Sequence, residues 1–277
     1  MENDPSSSQR IRGLRWLGIP AVILLWEVIA RLFVDQTAGE NSFLPTLVDV
    51  IKRDLPAFAI FDFSSRGFEG GPSYSSAIKI LAINSLSTIR LVFLGVGIGA
   101  VIGIGGGLLL ARWKTLRSAV EPIILVLRTI PLLALIPLFL LWFGAALSGH
   151  ITYIAFAVSA MLIINTLEAV RNVPPVYMSF SRTLGASENH VFSTVIFPAI
   201  IPELVGGIRV VLGLAWAITL GAEFLASQSG LGRLLLLSQN FLYTGRMLVI
   251  VILFGVFAAI TNSLALFIGR KVTRWMP

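Results

Sequence analysis

The sequence predicts an all-α membrane protein with about six transmembrane helices, and three observations predict it. Of the 277 residues, 56% are hydrophobic and only 13% are charged, where a soluble domain carries about 25% charged residues. The mean hydropathy is +0.88. Apolar runs recur at close to the ~20 residues that a helix needs to cross the hydrocarbon core, and the cations gather at the ends of those runs. A soluble enzyme and a disordered chain are both excluded. Helices follow because a spanning segment must satisfy its own backbone polar groups.

The six apolar segments are roughly 16–34, 91–111, 123–143, 151–170, 204–226 and 247–269. The stretch 1–15 is a short tail whose Arg10, Arg12 and Arg15 mark it as cytoplasmic. In 16–34, Glu27 and Arg31 stand four apart and can pair on one helix face. The run is too long for a cleaved signal and lacks a small-residue cleavage site, so it reads as a retained first span. A five-span form follows if 16–34 lies in the interface instead. Segment 35–79 carries Asp35, Glu40, Asp49, Asp54, Asp62 and Glu69 and reads as external. Within it, 43–61 suits a surface helix started near Pro45, and 64–76 is a Ser- and Gly-rich loop. The remainder, 80–277, is the core of the protein. Its cations Arg112, Lys114, Arg117, Arg171, Arg182, Arg270, Lys271 and Arg274 fall on the side of the N-terminal arginines if there are six spans. Both termini are then cytoplasmic.

Span two has Gly95, Gly99, Gly103 and Gly107 on one stripe, which lets helix backbones approach closely. Packing within the subunit and a subunit-interface or gating role are both compatible with it. Span three holds Pro131 and Pro137, which remove backbone donors and bend or break the helix; broken helices often line transport cavities. Ionisable residues at membrane depth are costly and mark pathway or gate candidates. Arg128, Arg209 and Glu223 are these candidates, beside the alternatives of snorkelling for Arg128 and of structural ion pairs for Arg209 and Glu223. Glu168 reads as an anchor near the inner boundary.

The composition also limits the chemistry. Cysteine is absent and the two histidines, His150 and His190, are far apart, so no metal centre is expected. None of the lysines, Lys52, Lys79, Lys114 and Lys271, follows a phosphate-binding loop, so the chain cannot hydrolyse ATP by that route. The net charge of +7 is topological and does not indicate nucleic acid. No catalytic residue stands out.

The stretch 171–202 is too polar to span and too long for a tight turn. Pro174 and Pro175 can end the preceding helix. Ser179–Val191 suits a short cytoplasmic helix with Ser179 as its N-cap and Gly185 as a break or close approach. Such a helix between two spans is suited to docking a partner, in a loop of about 172–195.

Here the chain resembles the permease subunit of a binding-protein-dependent ABC importer. That family carries a cytoplasmic loop patterned E-A-A, three residues, Gly, nine residues, I-x-L-P. Gly185 is followed by nine residues and then Val195-Ile196-Phe197-Pro198, so Gly and the loop-end Pro198 match. Ser179, Phe180 and Ser181 occupy the E-A-A positions, and Phe197 replaces the Leu. The run L-R-T-I-P-L-L-A-L-I-P-L-F-L-L-W-F-G (127–144), R-T-L-G-A-S (182–187), G-I-R (207–209), A-E (222–223) and S-G-L-G (229–232) resemble the nitrate/sulfonate/taurine/bicarbonate group.

The resemblance implies a type I importer fold in the bacterial inner membrane. Two permease subunits, identical or homologous, form the pathway in the lipid bilayer. A coupling helix including Ser179, Phe180, Ser181, Arg182, Gly185, Ala186 and Ser187 docks a cytoplasmic ABC ATPase dimer, which holds the ATP and Mg; this chain is a non-catalytic subunit and binds no cofactor of its own. An external solute-binding protein delivers the cargo, a small anion of the nitrate, sulfonate or taurine kind or a related organic compound. A stand-alone ion-coupled transporter or channel would instead use Arg128, Arg209 or Glu223 as ion sites, and inverted repeats would favour it; none is visible by eye.

Overall fold

The structure is a computed structural model that describes residues 18, 20–32, 44–61, 72–127 and 129–275. Among them every regular element is helical. Residues 20–32 form α1. The principal later helices are α2 (Tyr74–Arg112), α3 (Lys114–Leu127), α4 (Leu132–Phe143), α5 (Leu147–Asn172), α6 (Pro175–Thr183), α7 (Phe197–Ala226), α8 (Leu231–Asn240) and α9 (Thr244–Val272). Four described helices are long and apolar enough to cross a membrane, or five if α3 and α4 are counted as one broken span. The predicted first span, 16–34, is helical over 20–32; its remainder lies outside the described residues.

Two spans differ from expectation in extent. The second begins at Tyr74, seventeen positions before Leu91, so part of the segment read as external is the first turns of α2. The predicted span 123–143 is two helices bent by 103°. Pro131 caps α4 in a non-helical conformation, which ends the ladder from α3, whereas Pro137 is accommodated inside α4.

The chain divides into two compact units, 1–82 with 237–251, and 83–236 with 252–277. In the first, Glu27 accepts from Arg31 at 2.7 Å and from the Leu47 amide at 3.0 Å, and Trp26 donates to the Pro45 carbonyl at 3.2 Å. Thr46 caps the surface helix expected near Pro45. That helix runs as an α-turn Leu47–Asp49, a π-turn Val50–Asp54 and a 3-10 stretch Pro56–Phe61. Asp54 is buried against Gly245, where a Cβ would strike its carboxylate. The Arg246 guanidinium lies 3.8 Å from the Tyr243 ring centre and 5.8 Å from that of Phe61.

In the second unit α5 is the centre, with Tyr153, Ile154, Ala157, Val158 and Leu162 all buried. Gly95, Gly99, Gly103 and Gly107 of α2 face Ile154, Val158, Leu162 and Thr166 of α5, and a Cβ on any of them would lie 2.5–2.7 Å from those side chains. On its other sides α5 packs Tyr153, Ile154 and Leu162 in one core with Ile136 and Phe139 of α4 and with Val211, Ala215 and Ile218 of α7. Tyr153 also donates to the Leu132 carbonyl at 2.9 Å, fixing the start of α4. The exposed faces are themselves apolar, as at Val101, Leu141, Val210 and Phe267, which is what a lipid solvent tolerates.

Candidate functional site

After α5 the chain turns at Val173, an extended residue before Pro174, and α6 begins with Pro175 in its first turn. Proline is preorganised there, and its missing N–H costs nothing. The helix therefore starts one turn before the expected position. Ser179 is an interior residue and not a cap, and its carbonyl accepts from the Thr183 hydroxyl at 3.0 Å. Nor does one helix run from Ser179 to Val191. α6 stops at Thr183, and Gly185 takes φ +85°. The Gly185 amide bonds the Arg182 carbonyl at 2.9 Å and the Ala186 amide bonds that of Ser181 at 3.1 Å, the paired closure that glycine favours at a helix C-terminus. Ser187 then caps the next helix, accepting from the His190 amide at 3.4 Å. Arg182 closes the turn by donating to both Glu188 oxygens, at 2.7 and 3.0 Å.

The second helix, Glu188–His190, continues as a π-turn Val191–Ile196 straight into α7. Pro198, expected at the end of a loop, is already in the first turn of α7. Pro198 and the interior Pro202 deprive preceding carbonyls of their donors, and a wider winding is one way for a helix to absorb that.

The loop has two faces. Beneath it Met178, Ala186, Val191, Phe192, Val195 and Ile196 pack with Ala169 and Val173 of the α5 end and with Ile104 and Leu108 of α2. Above it Val176, Tyr177, Phe180 and Leu184 stand 64%, 56%, 64% and 72% exposed. Their spacing puts them on one side of α6 and its C-terminal turn. A polar belt surrounds the loop: Arg112 donates to Asn189 at 2.8 Å, Glu121 accepts from Arg117 at 2.9 Å and from Arg171 at 2.6 Å, and Asn172 donates to Glu203 at 2.7 Å.

The pathway candidates do not converge on one site. Arg128 lies outside the described residues. Pro131 and Pro137 shape α4. Arg209 donates to Asn262 of α9 at 3.2 Å, a neutral partner in place of the expected ion pair. Glu223 also meets neutral groups. It is 1% exposed, both its oxygens lie 2.9 Å from the Thr88 hydroxyl of α2, and one accepts from the Gly232 amide at 2.9 Å. Thr88 in turn accepts from the Leu231 amide at 2.9 Å, and Asn84 accepts from the Gly230 amide at 2.8 Å. Three successive donors at the start of α8, which have no partner within the helix, are thus met by side chains of α2 and α7. Gly230 has φ +104° and a Cβ there would strike the Glu223 carboxylate; one on Gly232 would sit 2.5 Å from the Glu223 Cβ. The glycines of S-G-L-G make this approach possible. Sequence reading missed Asn84 and Thr88, which carry no motif of their own.

Comparison with known proteins agrees with this architecture. Residues 95–274 match the family described as binding-protein-dependent transport system inner membrane component. The putative aliphatic sulfonates transport permease protein SsuC of Bacillus subtilis (strain 168) is 30% identical, over 96% of this chain and 89% of its own. The taurine transport system permease protein TauC of Escherichia coli (strain K12) is 32% identical, over 94% and 88%. The nitrate import permease protein NrtB of Synechocystis sp. (strain ATCC 27184 / PCC 6803 / Kazusa) is 27% identical, over 92% and 87%. In fold, a chain of the MetNI methionine ABC transporter, solved in inward-facing conformations, superposes with a TM-score of 0.62 at 20% identity, over 71% of this chain and 97% of its own. With family model, relatives matched over most of their length and fold in agreement, this chain belongs to the inner-membrane components of binding-protein-dependent transport systems, the permease subunits of ABC importers.

Proposed function

We propose that the chain, paired with a second permease subunit, forms the pathway for a small oxyanion-bearing solute, and that α6 with its following turn seats it on a cytoplasmic ATPase. The observation that carries the docking reading is the two-faced loop: an apolar patch of Val176, Tyr177, Phe180 and Leu184 held out by a packed underside. Burying such side chains on a partner contributes about 1.5–3 kcal/mol each before the costs of association. Phe180 and Arg182 of the expected coupling set face or flank that patch, while Ser187 and Gly185 shape its end. The missing Glu of the family pattern is compatible with this, because the contact surface is apolar rather than acidic.

Sidedness is supported by charge. Arg112, Arg117, Arg171 and Arg182 gather around the loop through the hydrogen bonds above, as the cytoplasmic side of an inner-membrane protein requires. The solute class rests on the relatives, whose names give sulfonates, taurine and nitrate. These share a compact, delocalised anion, and an external binding protein would select among them.

The test is co-purification of the tagged chain with its cognate ATPase subunit. Phe180→Glu is expected to abolish recovery of the ATPase while leaving the chain folded, because the Phe180 side chain is exposed. It is a cleaner probe than a bulky residue at Gly185, which would also strain the positive φ by about 1–2 kcal/mol. Undiminished ATPase recovery with Phe180→Glu would move the docking face elsewhere.

A further inference from the structure

The helical run from Glu188 to Leu225 is continuous. It begins inside the docking loop and, about 50 Å further on at a rise of about 1.5 Å per residue, carries Glu223. At that far end the carboxylate joins three elements in one node: its own helix α7, the Gly230–Gly232 start of α8, and Thr88 of α2. The node is closed to water, with Glu223 1%, Thr88 0% and Leu231 0% exposed. Ser87 and Ser229 add a hydroxyl contact at 2.9 Å beside it, and Arg233 donates to the Ser227 carbonyl at 3.3 Å as well as to Gln228 at 2.9 Å, so the turn keeps a bond from Arg233 when residue 228 is changed.

We propose that Glu223 is a positioning residue for transport: it makes the 227–230 turn and α8 follow α7 when the docking loop moves. This rests on the permease reading above. The physical reason is the distribution of bonds. Without the carboxylate, the side-chain grips on the first amides of α8 are, among the described residues, Asn84 and Thr88, both on α2. α2 is seated on α5 by its glycine seam and α7 by its own core contacts, so when α7 shifts on α5 a turn gripped by α2 alone would lag behind it. With the carboxylate in place, the Gly232 amide is bound to α7 directly, and Thr88 is bound to it through its hydroxyl. The role needs an acceptor of the right length at 223 and no side chain at 232, where a Cβ would meet that of Glu223 at 2.5 Å.

The chain has no cysteine, so Gln228→Cys gives a single thiol on the exposed turn. Its labelling by a membrane-impermeant maleimide is compared in the assembled permease–ATPase complex, nucleotide-free and vanadate-trapped. The background Gln228→Cys complex is expected to label at different rates in the two states. Glu223→Ala is expected to lose that difference while still co-purifying with the ATPase. Thr88→Val, which removes a grip of α2 and leaves the Gly232–Glu223 bond, and Glu223→Gln, which keeps an acceptor, are expected to retain it. Should Glu223→Ala fail to assemble, Gly232→Ala, whose Cβ would displace that of Glu223, decides and is expected to lose it. An assembled Glu223→Ala or Gly232→Ala that keeps the full difference overturns the proposal. So does a background complex whose labelling ignores nucleotide, or a Thr88→Val or Glu223→Gln complex as unresponsive as Glu223→Ala. Absence of the ATPase from the parent complex would instead refute the docking reading on which the proposal stands.

Discussion

Gly103 is a tight point of the α2–α5 seam: a Cβ there would lie 2.6 Å from that of Leu162 and 3.0 Å from the Ser159 carbonyl oxygen. Gly106, three positions on, faces away from the stripe, and its Cβ would meet Ile163 at an ordinary 3.5 Å. Two glycines three positions apart in one helix therefore have opposite expected responses to a single methyl. Gly103→Ala should cost about 1–3 kcal/mol by forcing the helices apart. Gly106→Ala should be neutral or gain up to about 1 kcal/mol of helix propensity. Thermal unfolding of the two variants in the same detergent measures the contrast, and equal midpoints would show that the seam yields.

At the scale of elements, the surface helix of 47–61 is tied down by a carboxyl that resists ionisation. Burial pushes the Asp54 carboxyl above its usual 3.8, and Arg53 and Arg246 only partly offset this. The folded state then binds the proton more tightly than the unfolded chain does. The stabilising contribution is present in full below the ordinary carboxylate range and is lost as pH rises through the raised value. Hydrogen-exchange protection of 47–61, corrected for intrinsic rates, should fall with rising pH across that window, and Asp54→Asn should flatten the profile. A flat wild-type profile would contradict the burial. Such elements differ in how far sequence reveals them. The glycine stripe was legible because its period of four is local, and the loop because its prolines and Gly185 are turn chemistry. The start of α6 was misplaced by favouring the capping residue Ser179 over the stronger signal of Pro175 at a helix start. Of the Glu223 node, Glu223 and the glycines of S-G-L-G were legible, but their meeting with Thr88 was not, since Thr88 lies 135 positions away and carries no signal of its partner.

At the scale of the whole molecule, charge asymmetry makes a prediction about sides. In the cysteine-free chain, thiols placed at Thr115 and Trp275 should be reached by an impermeant reagent only from the cytoplasm, and one at Ile60 only from outside. Labelling of Thr115→Cys and Trp275→Cys from opposite faces would require an odd number of crossings between them and remove the six-span topology. The two-faced loop has a consequence for how such a protein diversifies. The residues that hold it up, Met178, Val191 and Ile196 among them, are distinct from those it shows, Val176, Tyr177, Phe180 and Leu184. If the displayed side chains are the docking face proposed above, a lineage can exchange one motor for another by rewriting them singly, each step leaving the scaffold intact, and a handful of grafted positions should carry motor preference from one such chain to another.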